Sequence, residues 1–309
     1  MTVAITAQWV EPGVGQRLTG LRHNLRMKLS FTVPTPLEYF ATLVRSDAQF
    51  PLLETAISLA QDEYPELDVA QVLGDLDQLL ARLRRRIPTQ AQALQRLRAL
   101  NQFLYRDLGF AGNVNHFSDP DNSFIHVVLR TRRAIPISLA VIWLELAQAI
   151  GLNVRGISFP GHFLVKVNLA EGQVVIDPLT GLSLSREQLV ERLEPYRPVT
   201  GLLDTDEAPL GLYLQAAQPR EIIARMLNNL RDIHCAQEDW PRLLAVLDRL
   251  IVLQPDVWPV FRDRGLVYAE LGQRGRALED LQTYLDNMPQ ASDHQAIAQR
   301  MRDLRRMAY

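Results

Sequence analysis

The chain has one cysteine, Cys235, and two lysines, Lys28 and Lys166, among its 309 residues. A single cysteine excludes an intrachain disulfide and any CxxC metal or redox motif, and makes a reducing cytoplasm the simplest setting. Neither lysine follows a glycine-rich loop, so the phosphate-cradling GxxxxGK motif is excluded. HExxH and GxSxG are missing too, and with them the commonest zinc-protease and α/β-hydrolase readings. No cofactor is expected. No run of 18 apolar residues occurs, so no membrane-spanning helix is expected. Basic charge is not in excess: 33 Lys and Arg stand against 35 Asp and Glu, which argues against a nucleic-acid binder.

What is present is an ordinary globular composition, 47% hydrophobic and 22% charged, long enough for two domains. Residues 1–30 are basic and weakly periodic, without the apolar stretch and small-residue cleavage site of a signal peptide. They read as a flexible tail, and translation from Met27 would be compatible with it. Residues 31–108 form a helical region, because "PLLETAISLAQDEYPELD" and "VAQVLGDLDQLLARLRRR" place apolar residues at helical spacing. Arg82, Arg84, Arg85 and Arg86 suit the negative end of a helix dipole and read first as a solvated helix end, with an anionic partner as the lesser alternative.

Residues 109–200 read as an α+β unit. A loop rich in Gly, Asn, Asp and Pro comes first, with His116 and His126 in or beside it. Their spacing does not make a metal set. In "IPISLAVIWLELAQAIGL", Pro136 suits a first helical turn and Gly151 the position just past the end. The segment between is apolar on nearly every face, as a buried helix is. Two strands follow, "RGISFPGHFLVKVNL" and "QVVIDPL", joined through "AEGQ". A buried helix followed by antiparallel strands gives the α+β class.

His162 and Asp177 lie on these successive strands and share a face for any odd register. A turn near Leu169–Ala170 sets them opposite; a turn on Glu171–Gly172 offsets them beyond contact. Two readings stay open: a packed histidine with a strand-ending Asp-Pro, or a base and the acid that orients it.

Residues 201–219 read as a linker and residues 220–309 as tetratricopeptide-like helices. Pro255 and Pro289 are 34 residues apart, the period of that repeat. Gly265, Tyr268, Leu271, Gly272, Ala277, Leu281 and Tyr284 match its pattern. The preceding unit is weaker: Arg231 takes the small-residue position and His234 the place of Tyr268. Two units are fewer than a free-standing solenoid needs, so docking on the central unit or on a partner is expected.

The ordered set "GFAGNVNHFSDPDNSFIHVVL", "RRAIPISLAVIWLELAQAIGL", "FPGHFLVKV" and "VVIDPLTG", followed by the repeats, resembles the SirB-type transglutaminase-like family over about residues 40–290. The resemblance implies a papain/transglutaminase-like core. There a cysteine opens the buried helix, a histidine takes its proton, and an aspartate fixes the histidine tautomer. By that resemblance His162 and Asp177 hold the last two roles. The nucleophile position, counted back from Gly151, holds Pro136. Ser138 is the nearest hydroxyl, but two residues turn a helical side chain by about 200°. Cys235 lies far off in the repeats and reads as a small buried hydrophobe.

Three functions are consistent with this. The first is a non-catalytic scaffold with a protein-interaction segment at 220–309. The second is a hydrolase or acyltransferase using Ser138, His162 and Asp177. The third is an adaptor acting through the repeats alone. The expected partner is a protein in all but the second, with no membrane and no nucleic acid.

Overall fold

The computed structural model describes residues 4–6, 30–113, 116, 118–196 and 209–306. Within the expected tail, β1 (Ala4–Thr6) pairs antiparallel with β2 (Ser30–Thr32); the rest of residues 1–29 lies outside the described residues.

Four helices follow: α1 (Pro36–Leu43), α2 (Leu52–Ser58), α3 (Val69–Arg84) and α4 (Ala93–Asn101). Their starts are written in the sequence. Thr35 and Glu38 cap α1 reciprocally, and Asp68 accepts the Ala70 and Gln71 N–H groups of α3. A π-helical turn, Gln102–Asp107, continues α4. The short strands β3 (Ala111–Gly112) and β4 (Arg133–Ala134) pair in parallel around α5 (Ile125–Thr131). That pairing delivers the chain to α6 (Pro136–Ala149).

Helix α6 is the centre of the molecule. Only Glu145, Gln148 and Ala149 along it escape full burial, as its all-round apolar sequence requires. The Trp143 indole N–H donates to Asn101 Oδ1 at 3.0 Å, and Asn101 Nδ2 donates to the Gly181 carbonyl at 2.9 Å. One asparagine therefore ties α4 to α6 and to the turn after the sheet.

The sheet has three antiparallel strands, β5 (Val154–Ile157), β6 (Leu164–Leu169) and β7 (Gly172–Ile176), in sequential order. Leu169 pairs with Gly172, so Ala170 and Glu171 alone make the turn. That lies between the two turn placements the sequence allowed. Helix α7 (Arg186–Leu193) packs on the outer face, where Leu189 and Leu193 meet Ile157, Phe159 and Leu164.

After α8 (Leu210–Tyr213), five helices follow among the described residues: α9 (Pro219–Ala236), α10 (Trp240–Leu253), α11 (Trp258–Glu270), α12 (Arg274–Asn287) and α13 (His294–Arg306). They include the two expected helical pairs. Gly265 is demanded by the packing of the second pair, since a β-carbon there would lie 2.8 Å from Leu281 Cγ. The structure adds α13, whose Ile297, Met301 and Leu304 close the end of the stack.

The first pair is not a free appendage. Ile222, Ile223, Met226 and Leu227 of α9 share one hydrophobic cluster with Phe40, Ile57, Trp143 and Val165. No helix among the described residues is long and apolar enough to cross a membrane.

Candidate functional site

The turn before β6 sets the site. Gly161 has φ +64°, a left-handed conformation that glycine adopts at no cost. The His162 N–H donates to the Phe159 carbonyl at 3.1 Å. A β-carbon on Gly161 would also fall 1.8 Å from the Tyr196 hydroxyl oxygen. Glycine is thus required twice, by backbone and by space, and the turn it permits throws His162 off the strand end.

Asp177 comes just after β7. Its Oδ1 accepts the Leu179 N–H at 3.0 Å, and its carbonyl accepts the Gly181 N–H at 2.8 Å. This local turn holds the carboxylate at 6% exposure. His162 Nε2 stands 3.2 Å from Asp177 Oδ1. The ring is turned so that the Nε2–H direction misses the oxygen, which leaves a close contact rather than an aligned hydrogen bond. Arg192 of α7 reaches the other oxygen, Nη2 to Oδ2, at 3.3 Å. Burial raises the Asp177 carboxyl, but the His162 ring, the Leu179 N–H and Arg192 outweigh it, and the net shift is downward. Asp177 is therefore an anion at neutral pH. Beneath it, Tyr105 donates to the Pro178 carbonyl at 2.8 Å, and burial with the nearby Asp177 charge pushes its phenol well up.

A cavity of about 340 Å³ opens beside the pair. Pro136 and Ile137 of α6 line one side, with Gly161 and His162 next to them; Arg225, Asn229 and Asp232 of α9 line another. The structure thus brings together His162, Asp177 and Pro136. The Nε2 side of the imidazole belongs to Asp177, which leaves Nδ1 as the ring nitrogen not committed to the carboxylate.

Ser138 is not part of this group, which corrects the serine-nucleophile expectation. It is fully buried, and its hydroxyl donates to the Asn122 carbonyl at 2.5 Å, with the Ile135 carbonyl at 3.1 Å. A single hydroxyl proton committed to backbone carbonyls is not offered to an imidazole. The physical reason is the helix rotation: position 136 faces the cavity and position 138 faces the loop behind it. Cys235 also departs from expectation, since it is exposed on the last turn of α9. Among the described residues, no three potential ligands gather to hold a metal.

Arg192, Arg225 and Asn229 escaped the sequence reading. Arg192 sits on a short helix outside every motif that carries the resemblance. The two α9 residues belong to the repeat, where a residue of the neighbouring unit's cavity leaves no mark in the sequence.

Comparison with known proteins finds two matching family models along the chain. A family model described as the transglutaminase-like superfamily matches residues 70–228, and a tetratricopeptide repeat model matches residues 230–302. A UPF0162 protein of Xylella fastidiosa is 37% identical over 79% of this chain and 86% of its own length. A UPF0162 protein of Vibrio cholerae is 28% identical over 77% of this chain and 86% of its own length. Protein SirB1 of Salmonella typhimurium is 27% identical over 77% of this chain and 78% of its own length. With its buried helix, its His162–Asp177 hairpin and its closing repeats, the chain belongs to the transglutaminase-like superfamily, alongside the UPF0162 and SirB1 proteins.

Proposed function

We propose that this chain is a non-catalytic binding protein, in which the former catalytic cavity and the repeat segment form one recognition surface for a protein partner in the cytoplasm. The observation that carries the reading is the position of Pro136. It lines the cavity with His162 at the start of α6, where the resemblance calls for a cysteine. Thiol chemistry there needs a nucleophile that gives its proton to the imidazole and then bonds to a carbonyl carbon. Proline offers neither the proton nor the lone pair. Ser138 does not replace it, because its hydroxyl is engaged with the Asn122 carbonyl.

The retained pair keeps a different use. A histidine beside a buried carboxylate is a fixed hydrogen-bonding edge, and Asn229 and Arg225 supply further polar groups from the facing helix. Such a cavity suits an amide or carboxylate held without turnover. The repeat helices α11–α13 stack on from α10, and helical repeats of this kind are interaction scaffolds. The single cysteine, in a reducing compartment, is the support for a cytoplasmic setting.

The test is a panel of amide and ester substrates, with and without an amine acceptor, given to the wild type and to His162→Ala. Neither protein is expected to exceed the buffer rate. Turnover by the wild type that disappears in His162→Ala would overturn the non-catalytic reading. Affinity capture with the wild type and with a His162→Ala, Asn229→Ala variant tests the binding half. The expected result is a partner lost or weakened in the variant, and an unchanged set removes the cavity from the surface.

A further inference from the structure

A second hollow, of about 280 Å³, lies between α3 and α5, away from His162. Its floor is apolar, made by Val72, Leu79 and Leu129. Around it stand Arg82, Arg130 and Arg132, with His126 to one side and Asp75 as the single acid of the lining. Helical spacing assembles them: Asp75, Leu79 and Arg82 share one face of α3, and His126 and Arg130 one face of α5.

Arg82 and Arg130 each stand in the last turn of a helix, where a cation complements the dipole. That accounts for two residue types at two helix ends. It does not account for their convergence with Arg132 on one hollow. Nor does it account for the absence, among the described residues, of any carboxylate pairing with the three. Arg249 and Arg264, by contrast, are paired, Arg249 with Asp62 and Arg264 with Asp248 and Asp280.

Arg132 is the informative residue. It ends α5 with φ +62° and ψ 19°, in the left-handed region where glycine is the favoured residue. Its guanidinium lies over the Phe110 ring, 4.6 Å from the centroid. Stacking fixes the plane and leaves the in-plane N–H groups for a planar or tetrahedral anion. Nη1 is shut off from water without any hydrogen-bond partner, and so is His126 Nδ1. Burial and then the Arg82 charge disfavour the Arg132 cation. A left-handed backbone that holds a half-buried cation beside like charges is a costly arrangement, and an anion in the hollow offsets the charge.

We propose that this hollow binds a phosphate group carried on a small molecule, with Arg132 as the bidentate fork, Arg130 and Arg82 as flanking cations, and the Leu79–Leu129 floor receiving the molecule's apolar part. Arginine forks match phosphate oxygens in pairs. The volume exceeds that of a bare phosphate ion and sits at the small end of ligand cavities. This site is independent of the His162 cavity and of any reading of its function.

The test is calorimetric titration of the full chain with inorganic phosphate and with phenyl phosphate, at constant ionic strength set by chloride. Saturable binding is expected for both, tighter for phenyl phosphate. Arg130→Gln should weaken it by roughly tenfold, the loss of one charged hydrogen bond. Asp75→Asn should tighten it, by removing the one like charge on the lining. Arg132→Gly should abolish binding while the thermal midpoint holds or rises, because glycine relieves the left-handed backbone. No saturable heat for either probe overturns the site, as does binding that survives Arg130→Gln with Arg132→Gly. Equal affinity for the two probes overturns the apolar part of the ligand. Should Arg132→Gly fail to fold, the opposite effects of Arg130→Gln and Asp75→Asn, both on the exposed rim, still decide the matter.

Discussion

His162 and Asp177 are in contact although the hairpin does not pair them. The ladder sets Val165 against Ile176, and continuing it would carry His162 past Asp177. The contact at 3.2 Å is made instead by the turn at Gly161, which brings the ring back, and by the turn at Pro178, which holds the carboxylate still. The pair is a product of two loops anchored on one sheet.

The acid limb of stability should report this contact. The Asp177 carboxyl is held below its ordinary 3.8, so its contribution is complete above that value and is lost as pH falls through the lower folded value. Asp177→Asn should flatten the loss of stability below pH 3.8. At neutral pH it should cost about 2 kcal/mol, since Arg192 and the Leu179 N–H lose a charged acceptor. Urea unfolding across the acid range measures both effects, and an acid limb of unchanged slope would sink the assignment.

Gly161 carries two demands, and they can be separated. Gly161→Ala should cost about 1–2 kcal/mol for the left-handed backbone, and more for displacing Tyr196. In a Tyr196→Ala background only the backbone part remains, so the two substitutions should be non-additive. Chemical denaturation of the four proteins gives the coupling; strict additivity would mean Tyr196 yields freely.

Pro136→Cys places a thiol at the start of α6 beside His162. In a Cys235→Ser background it should alkylate with iodoacetamide at neutral pH about tenfold faster than an ordinary thiol, because the helix N-terminus and the imidazole both favour the thiolate. Adding His162→Ala should remove most of the acceleration. A thiol at position 136 that reacts at the ordinary rate would show that this position does not face the histidine.

The repeats cannot be cut away at the expected linker. A chain ending at Gln218 loses α9, whose Ile222, Ile223, Met226 and Leu227 are at most 2% exposed, and should show no cooperative melting. A chain ending at Gln254 keeps α9 and α10 and should melt cooperatively at a lower temperature. Scanning calorimetry distinguishes them, and a sharp transition in the shorter chain would make α9 an appendage.

Much of this fold is legible in the sequence because its punctuation is local. Pro136 and Gly151 bracket α6, Thr35 and Asp68 begin their helices, and the proline spacing marks the repeats. The site is legible only through the ordered motifs, since neither His162 nor Asp177 is distinctive alone. What stayed hidden depends on contacts between distant segments. Arg192 meets Asp177 from a helix with no motif. Arg225 and Asn229 reach the cavity because α9 packs against the core, which hydrophobic spacing marks as buried but not against what. Ser138 shows the limit from the other side: a helical wheel turns it away from position 136, but only packing reveals that it faces the Asn122 carbonyl.

The burial of α9 also bears on heredity. One helix supplies part of the central core, a wall of the His162 cavity and the first rung of the repeat stack. A recombination joint placed before it would strip a folded core of its cover, and a joint inside it would divide a single amphipathic face. The segment after α10 is free of that constraint, so new repeats could be spliced on there without reopening the centre. Lineages of this chain should vary in the number and surface of their terminal helices while passing on the first pair intact.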